Sequence, residues 1–171
     1  MPQLITEVSL QFSFPDGTTV SKYDDWVCYR KFSNAINGTK AVDIVHVDIN
    51  KIVWLIEIKD YRVNRRTKPS ELSDEIALKV RDTLAGLAVA RFQAQVSVEK
   101  QVARKVLQAR QLRVVLHLEQ IKKPSKLFPQ SVDLADIHQQ LKRLLKAIDA
   151  HPCVVDQNTL KSTMLWTVAD I

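Results

Sequence analysis

Asp43, Glu57 and Lys59 are the residues whose types and spacing could do chemistry. Glu57 and Lys59 lie two apart in the β-prone run Ile52 to Tyr61. Side chains alternate along a strand, so both point to one face while Ile56 and Ile58 point to the other. Asp43 belongs to the preceding run, Ala41 to Asp48, and the short turn Ile49-Asn50-Lys51 brings it back beside the ExK residues. An Asp, a Glu and a Lys thereby converge at one edge of a sheet. Two carboxylates bind a hard divalent cation, usually Mg²⁺, through oxygen. Such an ion polarises a phosphate and lowers the pKa of its bound water. A nearby lysine orients or helps deprotonate that water, or stabilises the charge of the pentavalent state. The competing reading is a solvated strand face with cross-strand ion pairs worth under about 1 kcal/mol each. The strongly apolar neighbours argue against it, because an unpaired charge among them is costly.

The elements that must hold these residues are legible in outline. Residues 4–14 alternate loosely, Pro15-Asp16-Gly17 is a turn signal, and Thr18 to Tyr23 is β-prone again. Residues 4–23 therefore read as a hairpin. Asp24 or Asp25 is placed to cap a short helix reaching about Ile36, which Asn37-Gly38 ends. A second hairpin carries Asp43 and the ExK pair. Pro69-Ser70-Glu71 opens a long helix to about Gln95, with Leu72, Ile76, Val80, Leu84, Leu87 and, at its end, Phe92 at helical spacing. Gly86 inside it costs roughly 1 kcal/mol against Ala and marks close packing. A second helix spans about 98–110, with Val98, Val102, Val106 and Leu107 on one side and its Lys and Arg residues as its wet face. Leu112 to Leu118 reads as a strand, Asp133 to Ala150 as an amphipathic helix, and Cys153 to Val155 and Met164 to Val168 as a closing pair of strands. The order predicts a mixed α/β (α+β) domain with one main sheet. A single domain over 1–171 is expected, with its core at about 4–118 and residues from about 120 onward as an addition.

Composition narrows the classes. Hydrophobic residues at 46% and charged residues at 26% are a normal globular balance, so disorder is excluded for the chain as a whole. The two cysteines are far apart and form no CxxC, which excludes a zinc finger or ribbon. The four histidines lack metal spacing and read as ordinary surface or half-buried residues. Three glycines, none close together, exclude a Walker A or GxGxxG phosphate loop. The N-terminus lacks the pattern of a signal peptide, and no apolar run approaches the roughly 18 residues of a membrane span. The expectation is a soluble, cytoplasmic protein without a membrane partner. The net charge of +6 and pI near 9.4 suit a polyanion, though only weakly.

Asp43…Glu57-Ile58-Lys59 resembles the D…(D/E)xK motif of the restriction-endonuclease-like, or PD-(D/E)xK, nuclease superfamily. The stretches Val42-Asp43-Ile44 and Leu55-Ile56-Glu57-Ile58-Lys59 are similar to those of Holliday-junction resolvases and related repair nucleases. The resemblance implies a restriction-endonuclease-like mixed sheet flanked by helices, with a helix, a three-stranded meander, a helix and a strand as its core. Residues 24–118 can be laid onto that order, and the N-terminal hairpin is the source available for the first meander strand. The resemblance further implies Mg²⁺ or Mn²⁺ on Asp43, Glu57 and the Ile58 carbonyl, with Lys59 catalytic. It adds an acid near the first helix, Asp24 or Asp25 with Glu7 behind, and leaves room for Lys79 or Arg81 from the helix after the ExK strand.

Arg62, Arg65, Arg66 and Lys68 follow the ExK strand and are candidates for holding phosphates, which the arginine fork suits. Lys122, Lys123 and Lys126 are a second candidate contact. Tyr61 and Trp26 could stack on bases, with a core role favoured for Trp26. Two functions follow. One is metal-dependent phosphodiester hydrolysis of nucleic acid, expected to be DNA, with weak sequence specificity. The other is a catalytically inactive nuclease-like module that binds nucleic acid or a protein partner. A homodimer or a targeting protein would complete either.

Overall fold

The computed structural model describes residues 1–35, 38–62, 71–121 and 132–171. It is a mixed α and β fold, as expected, but with two sheets. The strands are β1 (Gln3–Glu7), β2 (Leu10–Phe14), β3 (Thr19–Lys22), β4 (Ile44–Val47), β5 (Ile52–Asp60), β6 (Gln111–Glu119), β7 (Cys153–Val155) and β8 (Thr167–Asp170). The helices are α1 (Val27–Ala35), α2 (Leu72–Gln93), α3 (Ser97–Leu107) and α4 (Leu134–Leu144). The main sheet has the order β3-β4-β5-β6-β7 and the small one β1-β2-β8. β3, β4 and β5 form an antiparallel meander, whereas β5, β6 and β7 run parallel. Parallel neighbours need long crossovers, and α2 with α3, then α4, fill those two connections.

The N-terminal hairpin differs from the one read in the sequence. The chain turns at Val8, whose φ of 55° is left-handed, so β1 pairs with β2 within residues 3–14. Val8 carries none of the Gly, Asn or Asp signals that mark such a turn. After the Pro15-Asp16-Gly17 turn, β3 leaves β2 and joins β4, supplying the first meander strand. The expected closing pair is also corrected, since β7 joins β6 and β8 joins β2 in the other sheet.

The alternation along β5 separates two cores. Val53 and Leu55 face the helices, with Ile76, Val80, Leu87, Val102, Val106 and Leu141. Trp54, Ile56 and Ile58 face the small sheet, with Leu10, Phe12, Phe14 and Trp166. The layers are therefore helices, main sheet, small sheet. α4 and β7 contribute Ile137, Leu141, Cys153 and Val155 to these cores. His46 and His117 are fully buried on the small-sheet side, against Phe14 and Phe12 respectively, which corrects their reading as surface or half-buried residues.

Two local devices set the helices. A helix N-terminus leaves backbone N–H groups unpaired. At α1 they are met by neither Asp24 nor Asp25 but by buried Glu99, which accepts from Val27 N at 2.7 Å and Cys28 N at 3.0 Å. Gly86 packs against Tyr23, and a Cβ there would strike the Tyr23 hydroxyl.

Candidate functional site

The site lies where β4 begins and β5 continues past it, under α2. Asp43 stands one residue before β4, and its backbone carbonyl accepts from Tyr23 N at 2.9 Å. The β4–β5 ladder starts at the Ile44–Ile56 pair. Beyond it the Asp43 carboxylate accepts the Ile58 N–H at 2.6 Å. Glu57, 1% exposed, accepts from Lys79 Nζ at 2.6 Å and from Lys59 Nζ at 2.8 Å, both on Oε1. Lys59 also lies 3.2 Å from Glu75 Oε1, and Lys79 lies 3.8 Å from Asp43 Oδ1. Three carboxylates and two lysines thus share one cluster. Glu57 and Lys59 share a face as strand alternation requires, and that face is covered by α2.

Glu75 was missed in the sequence. The signal available was its spacing from Lys79, one helical turn on, beside the buried stripe Leu72, Ile76 and Val80. An open cleft of about 310 Å³ borders the cluster, with Asp24, Tyr29, Lys40, Asp43, Glu75 and Lys79 on its walls. Asp24 therefore shares the cleft with Asp43. Asp25 does not line it; its side chain is 65% exposed and 4.0 Å from Lys22 and from Arg30. Glu7 pairs with Lys22 at 2.7 Å.

The cluster is short of positive charge at its acidic end. Burial and the adjacent Glu57 charge push Asp43 up to about 7, against the pull of Lys79 and the Ile58 N–H. Burial and Glu7 likewise raise Asp24 above the usual carboxylate range. Burial works against charge on Lys59, but Glu57 and Glu75 outweigh it and hold its pKa above the ordinary lysine value. Glu57 Oε2 and Asp24 Oδ1 are buried acceptors without a hydrogen-bond donor. That donor set, oxygen atoms with two orphaned acceptors, fits a cation. Among the described residues, however, no group of three or more His, Cys, Asp and Glu side chains forms a ready metal cage, and Lys79 stands on the two carboxylates that would be needed.

The basic candidates are placed differently. Arg62 donates to both Asp60 oxygens, at 3.0 and 2.8 Å, and reaches Asp170 at 2.8 Å. Its hydrogen bonds to Asp60 lead the effects that hold its pKa above the usual arginine value. The guanidinium fork thereby ties β5 to β8. Arg65, Arg66 and Lys68, and likewise Lys122, Lys123 and Lys126, lie outside the described residues. Tyr61 and Trp26 are buried, at 7% and 4% exposure, so neither offers a ring face to a base. Among the described residues no helix is long and apolar enough to cross a membrane.

No protein-family model and no solved structure matches the chain. A cysteine–tRNA ligase of Neisseria meningitidis serogroup A / serotype 4A (strain DSM 15465 / Z2491) is 37% identical over 164 residues, covering 78% of this chain. The chain spans 23% of that protein's length. This relative overturns the resemblance to the PD-(D/E)xK superfamily, and with it the expected nuclease or endonuclease activity; of the second reading, the nuclease-like identity falls, while nucleic-acid binding is closer to what this relative suggests. The physical reason is the brevity of the pattern. A hairpin with alternating faces places an Asp near an ExK pair whenever an ion network is buried at its edge. Here Glu57 and Lys59 bind each other, Lys79 and Glu75.

Proposed function

We propose that the chain corresponds to one portion of a cysteine–tRNA ligase and serves as a tRNA-contacting module. The observation that carries this reading is the 37% identity to that ligase across 78% of the chain. The proposal concerns contact with RNA and not the joining reaction, because the chain spans 23% of its relative. The net charge of +6 supports it, since cationic side chains on a polyanion release bound counterions and gain affinity. RNA replaces the DNA expected from the sequence, and a cytoplasmic location belongs to the same proposal. The test is fluorescence anisotropy of a labelled tRNA transcript titrated with the protein, alongside DNA of equal length. Preferential, saturable tRNA binding is expected. No tRNA binding at low salt overturns the reading.

The acid cluster has a second role in this proposal. Asp43 and Glu57, with the Ile58 carbonyl, would hold Mg²⁺ or Mn²⁺ in place of Lys79. The orphaned Glu57 Oε2 and the raised Asp43 support that assignment. When bound, the ion supplies a hard contact for a phosphate oxygen. Lys59 then holds the Glu57 and Glu75 carboxylates in position.

A further inference from the structure

The corner between α2 and α3 carries an exposed aromatic ring in a basic setting. Phe92 is 68% exposed at the end of α2, and Val98, at the start of α3, is 62% exposed. The Arg91 guanidinium lies 5.6 Å from the centre of the Phe92 ring, a cation–π distance. Lys100 Nζ donates to the Phe92 carbonyl at 3.3 Å, and Lys31 of α1 reaches Gln95 at 2.8 Å. One cation thus lies against the ring, a second is held at its backbone carbonyl, and a third, from α1, is anchored three residues on at Gln95.

The sequence around it is one-sided. Between Asp82 and Glu119 stand six Lys and Arg residues and a single acid, Glu99. Glu99 is 8% exposed and its carboxylate is turned inward, onto the α1 N-terminus. No exposed acid from this stretch offsets Lys100 and Arg104, which lie one helical turn apart along α3. The basic run continues to Lys105, which borders a cleft of about 320 Å³ shared with Lys51. Lys51 has a left-handed φ of 57°, a conformation ordinarily left to Gly or Asn.

We infer that Phe92 is a stacking platform for an unpaired base, and that Lys100 and Arg104 hold the phosphates of the same single-stranded RNA segment. A solvent-facing ring flanked by cations is what such strands use, because every base has a π-face and every linkage a negative charge. A duplex keeps its bases stacked inside and offers none to the ring. The choice of RNA rests on the tRNA-contact reading. The platform itself rests on the geometry.

The test uses the full chain with Phe92→Ala, Phe92→Trp and the pair Lys100→Glu/Arg104→Glu. The probes are a labelled 12-nucleotide single-stranded RNA, the DNA of the same sequence and the RNA duplex. Phe92→Ala should weaken single-stranded RNA binding about tenfold and leave duplex binding unchanged. Phe92→Trp should keep the affinity, and its emission should change on adding RNA. That signal is separable because the native Trp26, Trp54 and Trp166 are buried. The charge reversals should flatten the dependence of log K on log salt by about 1.4. Unchanged RNA binding by Phe92→Ala, or unchanged Phe92→Trp emission, overturns the platform while tRNA contact stands. Equal binding of DNA and RNA overturns the commitment to RNA. Wild-type protein that binds no RNA removes the tRNA reading, and this inference with it.

Discussion

The Asp43 carboxylate accepts the Ile58 N–H at 2.6 Å, fifteen residues away in sequence and on the neighbouring strand. It does so one residue before β4 starts, where the β4–β5 ladder would otherwise leave the Ile58 N–H without a partner. A side chain thereby continues a backbone ladder, and the same side chain faces Glu57 and Lys79. Strand pairing and the charge state of the cluster are tied through one residue.

That tie sets a pH dependence in the metal-free protein. Asp43 titrates at about 7 when folded against 3.8 in the reference state. The folded protein therefore holds the extra proton between these values, and its stability falls as pH rises from about 4 to about 7. The span is at most about 4 kcal/mol. Asp43→Asn keeps an acceptor for Ile58 and cannot ionise. It should flatten this part of the curve and be the more stable form at pH 8. Urea denaturation at pH 5 and pH 8 measures both, and parallel curves for the two proteins would contradict the assignment.

His46 contributes the opposite slope. Burial lowers its pKa from 6.5 to about 4, and neither ring nitrogen has a hydrogen-bond partner. The unfolded chain takes up the proton first, so stability is lost as pH falls from about 6.5 to about 4. The loss is up to about 3 kcal/mol. His46→Leu should remove that loss and stabilise the protein at pH 4.5 more than at pH 7. An equal effect at both values would show that His46 is not buried in neutral form.

Gly86 and Tyr23 should behave as a coupled pair. A methyl at position 86 meets the Tyr23 hydroxyl, so Gly86→Ala should destabilise by about 1–3 kcal/mol. Removing that hydroxyl with Tyr23→Phe should recover most of the loss, since the next nearest atoms stand at 3.4 and 3.6 Å. A double-mutant cycle by thermal denaturation reads the coupling. Additive losses would mean that the packing is not as described.

Glu57 is the buried acceptor on which both lysines converge, so Glu57→Gln should cost roughly 3 kcal/mol by leaving two half-buried lysines underpaired. Calorimetric titration with Mn²⁺ should show binding to the wild type and none to Glu57→Gln. Binding of equal strength to both would remove the cation from the cluster.

Much of the frame was legible because it follows from short-range pattern. The β4–turn–β5 hairpin, the shared face of Glu57 and Lys59, and the length of α2 are set by period two, a turn and period 3.6. What escaped is set at long range. The turn at Val8 has no local marker, and the pairing of β8 with β2 joins opposite ends of the chain. The cap of α1 comes from Glu99, some seventy residues on. Glu75 joins the cluster only once α2 is laid over β5. The D…ExK pattern was misleading for a related reason. It fixes which residues meet at a sheet edge, and their meeting does not specify a reaction.

The tRNA reading stands or falls on binding of a tRNA transcript to the pure wild-type chain, followed by anisotropy across a salt series. Saturable binding is expected, with log K falling linearly as log salt rises, and with tRNA preferred over DNA of equal length. An absence of binding at low salt, or equal affinity for DNA, would contradict it.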